Sequence, residues 1–229
     1  MMLPTSTSQY LRDHFVRSFV NDANPSNWDA GDDKGVFAIT LLCLTYWNAA
    51  AGLAHGGRAT ATATTRFMSE KLGNAAAPFG PRYRDRASIV YALFRNGLVH
   101  QRFPGPVVGL TGNVTWVMGR DLPDHEHLAL YGPLRVNEQK TAFGLALSGP
   151  VSAGGDSVLP PLSYIGLNPD LLYQHSLVEF ERFATVCESD PVVSTAVLDG
   201  IRAAKTARRP NQEVQRMVDL ALGASDPWP

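Results

Sequence analysis

The sequence predicts a mainly α-helical protein carrying a small antiparallel β-rich insert. Three observations lead there. Apolar residues recur at helical spacing over 8–21, 36–54, 83–100 and 170–187. The period breaks over 107–166, where Gly, Pro, Val and Thr are frequent and short apolar runs alternate with turn residues. Helical spacing then resumes toward residue 222. With 229 residues and 45% hydrophobic content, the chain can bury one large core, and no internal repeat divides it. The reading is a single domain: helical over 8–104, β-rich over 107–166, helical again over 168–222.

Each element has its own signal. Tyr10, Leu11, Phe15, Phe19 and Val20 mark a first amphipathic helix, closed by Asn24-Pro25-Ser26-Asn27. Asp29, Asp32 and Asp33 follow, at a spacing that does not fit a calcium loop. Asp32 and Asp33 are instead expected to face the positive end of a helix starting near Val36. Val36 to Ala54 is 19 residues without a charge, close to the length of a membrane span. Thr40, Thr45, Asn48 and Gly52 argue for the buried helix of a soluble core. Residues 56–65 read as a low-complexity connector, and 65–72 as a short helix ended by Gly73 in C′ fashion. Pro81 opens the strongest helix, where a missing N–H is tolerated. Tyr83, Ala87, Val90, Tyr91, Phe94 and Leu98 step along its face, and Phe103-Pro104-Gly105-Pro106 stops it. This helix is expected to lie antiparallel to 36–54. Val114–Met118, His127–Tyr131 and Ala142–Leu147 read as strands of the insert. Asn168-Pro169-Asp170 starts a helix bearing Leu171, Leu172, Leu177, Val178, Phe180 and Phe183. Two more helices are expected at 191–206 and 211–222, before a loose tail at 226–229.

Composition narrows the function. A net charge of -1 excludes a globally basic nucleic-acid binder but leaves room for a local basic groove. Cys43 and Cys187 make no disulfide framework, and no apolar signal segment opens the chain. A reducing, cytoplasmic setting is expected. There is no nucleophile elbow, phosphate-binding Gly loop or dinucleotide fingerprint. Asp121, Asp124, His125, Glu126 and His127 invite a metal reading. His125 and His127 would share a face on a strand, but no third ligand stands at a recognisable spacing, so a polar turn is the preferred reading. No metal and no cofactor is expected. His14, His55 and His175 stand singly.

The chemistry concentrates in Tyr91-Ala-Leu-Phe-Arg95-Asn96-Gly-Leu-Val-His100. At about 100° per residue, Asn96 and His100 lie on nearly the same helix face, while Arg95 and His100 border it from two sides. His moves a proton near neutral pH, Arg stabilises phosphate charge, and Asn orients a hydroxyl or phosphate. Arg120–His125 repeats the spacing, but Pro123 argues against a helix there. An Arg, a polar residue and a His late in a buried helix resembles the R-x4-6-H motif of the HEPN superfamily, over roughly residues 81–104. The resemblance implies a HEPN-like helical bundle and a metal-independent endoribonuclease, of the toxin–antitoxin or phage-defence kind, working as a homodimer with two motifs face to face. Arg95 would bind the scissile phosphate, His100 would be the acid or base, and Asn96 the polar helper. The β-rich insert departs from a minimal bundle of that family.

Arg82, Arg84, Arg86, Arg95 and Arg102 place five of the chain's 20 basic residues within 21 positions. With Tyr83 and Tyr91 among them, Arg82, Arg84, Arg86 and Arg102 could form an RNA-binding edge that tracks phosphates and stacks bases; the alternative is a solvated face with structural pairing. Arg202, Lys205, Arg208 and Arg209 read as a solvated helix end. Two other functional readings stay open. One is a catalytically inactive HEPN-like module that binds RNA, a nucleotide, or a protein partner such as an antitoxin. The other is a structural helical protein in which Arg95 and His100 only cap a helix.

Overall fold

The structure is a computed structural model that describes residues 6–28, 35–57, 59–96, 107–108, 112–132 and 162–206. Outside the described residues lie the expected Asp32 and Asp33 caps, the Ala142–Leu147 strand, the 211–222 helix, and His100 and Arg102.

The protein is mainly helical with one small mixed sheet. Helix α1 spans 7–23, with π-type hydrogen bonding over Leu11–Val16. Ser6 caps it by accepting from the Gln9 N–H. Helix α2 is Val36–Ala54. Helix α3 is Ala61–Leu72, capped by Thr60, which accepts from the Ala63 N–H. It therefore begins inside the stretch read as a connector: the alanines between the threonines favour helix, and Thr60 supplies the start. Gly73 does not end α3 in left-handed fashion. Its φ is −61°, and it is small because a Cβ would lie 2.4 Å from the Ser69 carbonyl oxygen. Helix α4 runs over 79–96, its last described segment, Tyr91–Asn96, being π-helical. It starts two residues before Pro81, which sits in the first turn where no N–H is needed. Helices α5, Pro169–Ser189, and α6, Pro191–Thr206, follow among the described residues.

Helix α2 is the hub. It touches α1, α3, α5, α6 and the π segment of α4. Ile39, Cys43, Leu44, Trp47, Ala50 and Ala51 are fully buried along it. Its apolar length has this use: each side of the helix meets another element, so few polar positions remain. Among the described residues it is the one helix long and apolar enough to cross a membrane, and half of that span is buried inside the protein. The body of α4 packs mainly on α3, and its π segment packs on α2. Among the described residues, the expected pairing of 36–54 with 83–100 is thus strongest at the π segment. Trp47 Nε1 donates to Ser176 Oγ at 2.8 Å in the core, joining α2 to α5.

The sheet corrects the expectation of a purely antiparallel insert. Its strands are β1 (Val107–Val108), β2 (Asn113–Met118), β3 (Leu130–Tyr131) and β4 (Leu162–Leu167), in the order β1-β2-β4-β3. The central pair β2–β4 is parallel, in register from Asn113↔Leu162 to Met118↔Leu167; the two outer pairs are antiparallel. Strand β4 escaped the sequence reading because Ser163 and Gly166 break up its apolar residues just before the Asn168 cap. The inner face carries Trp116, Met118, Ile165 and Leu167. Trp116 lies edge-on to Phe37 and Phe94, and Thr40 Oγ1 donates to Met118 Sδ at 3.3 Å. The expected strand over His127–Tyr131 shrinks to its last two residues. Asp124–Glu126 is a 3-10 turn, and Leu128 sits at φ +56°. That left-handed backbone is strained for Leu. Three anchors hold it: a buried side chain, an N–H bonded to the Gly166 carbonyl, and a carbonyl bonded by Arg86.

Candidate functional site

Arg95 and Asn96 are the last described residues of α4, in the π-helical segment Tyr91–Asn96. The residues just before them, Leu93 and Phe94, are fully buried, so the core fixes this stretch of the helix. A π segment holds one extra residue per turn and is often found at functional sites. The uniform 100° step used to place Arg95 against His100 therefore does not hold across it. Arg95 is half-buried. Its Nε is shielded from solvent and has no hydrogen-bond partner. A guanidinium N–H left so is costly unless an acceptor arrives.

The nearby arginines are engaged with this chain's own backbone. Arg82 Nη1 donates to the carbonyls of His125 and His127 at 2.8 and 2.7 Å. Arg84 Nη2 donates to the Gly73 carbonyl at 3.0 Å, and Arg86 Nη1 to that of Leu128. Burial lowers the Arg86 pKa, with Arg82 adding to the effect. Tyr83 and Tyr91 correct the expectation of stacking rings. Tyr83 is fully buried, Tyr91 is only 3% exposed, and Asn48 Nδ2 donates to the Tyr91 hydroxyl at 3.3 Å, so both rings belong to the core. The second Arg-x4-His spacing is not helical: Arg120 lies in a turn, and its Nε bonds both carboxylate oxygens of Asp170 at 3.1 Å. His125 and His127 do not share a face. The His125 side chain is 78% exposed, while His127 is fully buried. No group of three or more His, Cys, Asp or Glu suited to a metal ion occurs among the described residues.

With that geometry in view, no family model, curated protein or solved structure matches the chain.

Sequence reasoning missed one cluster. Tyr83 on α4 is fully buried, and its hydroxyl meets two histidines: His127 Nε2 at 2.8 Å and His175 Nδ1 at 2.9 Å. On its far side, His127 Nδ1 accepts from the Asn168 backbone N–H at 3.1 Å. Phe79 packs against both imidazoles. Burial pulls the His127 pKa down to about 3, with His175 and Arg82 pushing the same way. Burial also lowers His175, with Asp124 opposing, and raises Tyr83 well above its usual range. The three residues lie far apart in sequence, and each fits a helix face or turn taken alone. Only the docking of α5 against α4 and the 124–128 turn brings them together.

Proposed function

We propose that this chain is a HEPN-like, metal-independent endoribonuclease of the cytoplasm, acting as a homodimer within a toxin–antitoxin or phage-defence system. The observation that carries the reading is Arg95 Nε, a shielded guanidinium nitrogen without a partner, beside Asn96 in the last described turn of a core helix. A phosphate oxygen is the acceptor that such a group fits best. In the reaction, the ribose 2′-hydroxyl loses its proton to a base and attacks the adjacent phosphorus. The bond to O5′ breaks, and O5′ takes a proton. His100 serves as the acid or base, and Arg95 stabilises the phosphorane charge. Asn96 orients the hydroxyl or phosphate. Products carry a 2′,3′-cyclic phosphate and a 5′-hydroxyl. The test is incubation of RNA and the matching DNA with wild type and His100→Ala, in EDTA. Cleavage of RNA alone, lost in His100→Ala, supports the reading; intact RNA, or equal cutting by both proteins, defeats it.

A second reading has its own support. Arg82, Arg84 and Arg86 each engage an N–H in backbone carbonyls, which leaves fewer donors to track a phosphate chain. Of the alternative module's ligands (RNA, a nucleotide or a protein partner), that favours a nucleotide or a protein partner for an inactive HEPN-like module.

A further inference from the structure

The donors and acceptors around Tyr83 fit together in one way. A backbone N–H can only donate, so the Asn168 N–H makes His127 Nδ1 an acceptor. Neutral His127 then carries its proton on Nε2 and donates it to Tyr83 Oη. The other tautomer would set two N–H groups head to head. With its oxygen so occupied, Tyr83 donates its own proton to His175 Nδ1. The chain from Asn168 through His127 and Tyr83 to His175 runs in a single direction, and it closes only while both imidazoles are neutral. A second proton on His127 would face the Asn168 N–H. A second proton on His175 would face the Tyr83 O–H, whose oxygen is already taken by His127.

Three elements meet in this chain: α4 through Tyr83, α5 through His175 and its cap Asn168, and the 124–128 turn through His127. The turn is strained, with Leu128 at φ +56°. Its Leu128 N–H bonds the Gly166 carbonyl, and Arg82 and Arg86 hold its carbonyls from α4. The His127 side chain ties it to both helices at once. His127 is fully buried and His175 half-buried, so His175 is the ring that acid reaches first. The charged and titratable groups that act on the three rings are Arg82 from α4, Cys43 from α2 and Asp124 from the turn. Arg82 opposes a proton on His127 and Asp124 favours one on His175. The Cys43 thiol, pushed far up by burial, stays neutral. Nearby on the same elements, Arg120 pairs with Asp170, and His125 Nε2 lies 3.9 Å from Glu126 Oε1.

We propose that Tyr83, His127 and His175 form an acid-sensitive latch: a proton taken up by His175 breaks the chain at Tyr83 and lets the strained 124–128 turn open away from α4 and α5. At neutral pH the chain is closed and the turn is held in its left-handed step. Burial keeps the His175 pKa below the ordinary 6.5 in the closed form. The open form binds the proton more readily, so falling pH favours opening. The imidazolium N–H and the Tyr83 O–H then point at each other. Losing that buried bond shifts the balance toward the open form by roughly tenfold to a hundredfold, and release of the Leu128 backbone acts in the same direction. Opening is local: α2, buried among apolar side chains, keeps its own hydrogen bonds. The latch is independent of Arg95, twelve residues further along α4, and of the ribonuclease reading.

The experiment is NMR on the labelled full chain from pH 7 to about pH 4.5, reading the histidine rings by long-range nitrogen–proton correlation and the amides by hydrogen exchange corrected for intrinsic rates. At pH 7 both rings should be protonated on Nε2 alone. As His175 takes its second proton, protection of the Leu128 and Asn168 amides, which bond Gly166 and His127, should fall roughly tenfold to a hundredfold. Leu44 and Trp47 of α2 should keep theirs. His175→Gln, whose side-chain carbonyl can accept from Tyr83 without titrating, should keep the turn closed across the range. If His175→Gln does not fold, the wild-type titration still decides, through the coincidence of the His175 midpoint with the loss of protection. Any of these overturns the proposal: His175 protonated on Nδ1 at pH 7, turn amides unchanged while His175 titrates, the turn and α2 losing protection together, or His175→Gln opening in acid as wild type does.

Discussion

Asn168 shows how much one residue can join. Its Oδ1 accepts from the N–H groups of Asp170 and Leu171, capping α5. Its Nδ2 donates to the carbonyls of Arg120 and Leu122, and its backbone N–H holds His127. The cap was readable from Asn168-Pro169-Asp170, because capping is local chemistry. The bond to His127 was not, because nothing nearby in sequence marks which buried nitrogen will face it. That bond has a consequence for acid stability. The folded-state pKa of His127, about 3, lies below the ordinary 6.5. Above pH 6.5 neither folded nor unfolded chain binds the proton, and the full contribution of His127 is present. As pH falls from 6.5 toward 3, the unfolded chain binds it and the folded one does not, so stability is lost at up to about 1.4 kcal/mol per pH unit. His175 adds loss of the same sign. Denaturant melts from pH 7 to 4 should show His127→Gln with a shallower slope than wild type; parallel slopes would rule the contribution out. Further along α4, Arg95→Ala should lower any RNA cleavage by about 3 kcal/mol of barrier, and His100→Ala by roughly 10²–10⁴-fold. Both should melt near wild type. Gel assays of cleavage beside thermal melts check both halves of that statement.

Among the elements, helices were readable and strands only partly. Val36–Ala54 was found to the residue, since an uncharged run bounded by Asp-rich and Gly-rich segments leaves little choice of ends. Helix α5 was found within two residues at each end. The start of α3 was hidden because an Ala–Thr alternation reads as strand or connector until Thr60 is seen as a cap. The parallel β2–β4 pair joins residues 113–118 to 162–167, and no local periodicity reports a partner that distant. The helix crossings also hold a detail absent from any periodicity. At Gly200 on α6 an added Cβ would lie 2.6 Å from the Leu53 carbonyl oxygen and 2.8 Å from its Cα. Both are backbone atoms of α2 that cannot swing aside. Gly200→Ala should therefore destabilise by about 1–3 kcal/mol through overpacking, despite the better helix propensity of Ala. A rise in the urea midpoint instead would mean that α6 rides loosely on α2.

At the scale of the molecule, the mainly helical class with one small sheet was readable from the switch of hydrophobic period. The candidate site was half readable: Arg95 and Asn96 stand in the last described turn of a core helix, and the Tyr83 cluster was invisible. The proposed ribonuclease site, with a single motif copy per chain, would need a second chain to face it. The expected assembly is a homodimer with its Arg95–His100 segments near one another. Sedimentation should show it at micromolar concentration, and a cross-link between cysteines introduced at Arg95 should form; a monomer would remove this basis for a shared site. One further consequence follows from α1. Its Phe15 and Phe19 lie edge-on to Phe180, Ser8 and Arg12 bond Glu188, and Thr7 accepts from Ser194. Every one of those partners is made more than 160 residues later. At about 5–20 residues per second, a nascent chain carries that aromatic stripe with only Tyr46 of α2 against it for on the order of ten seconds. Biogenesis of this protein therefore exposes an early apolar helix to whatever meets it at the ribosome, and α1 is where a chaperone would first find a hold.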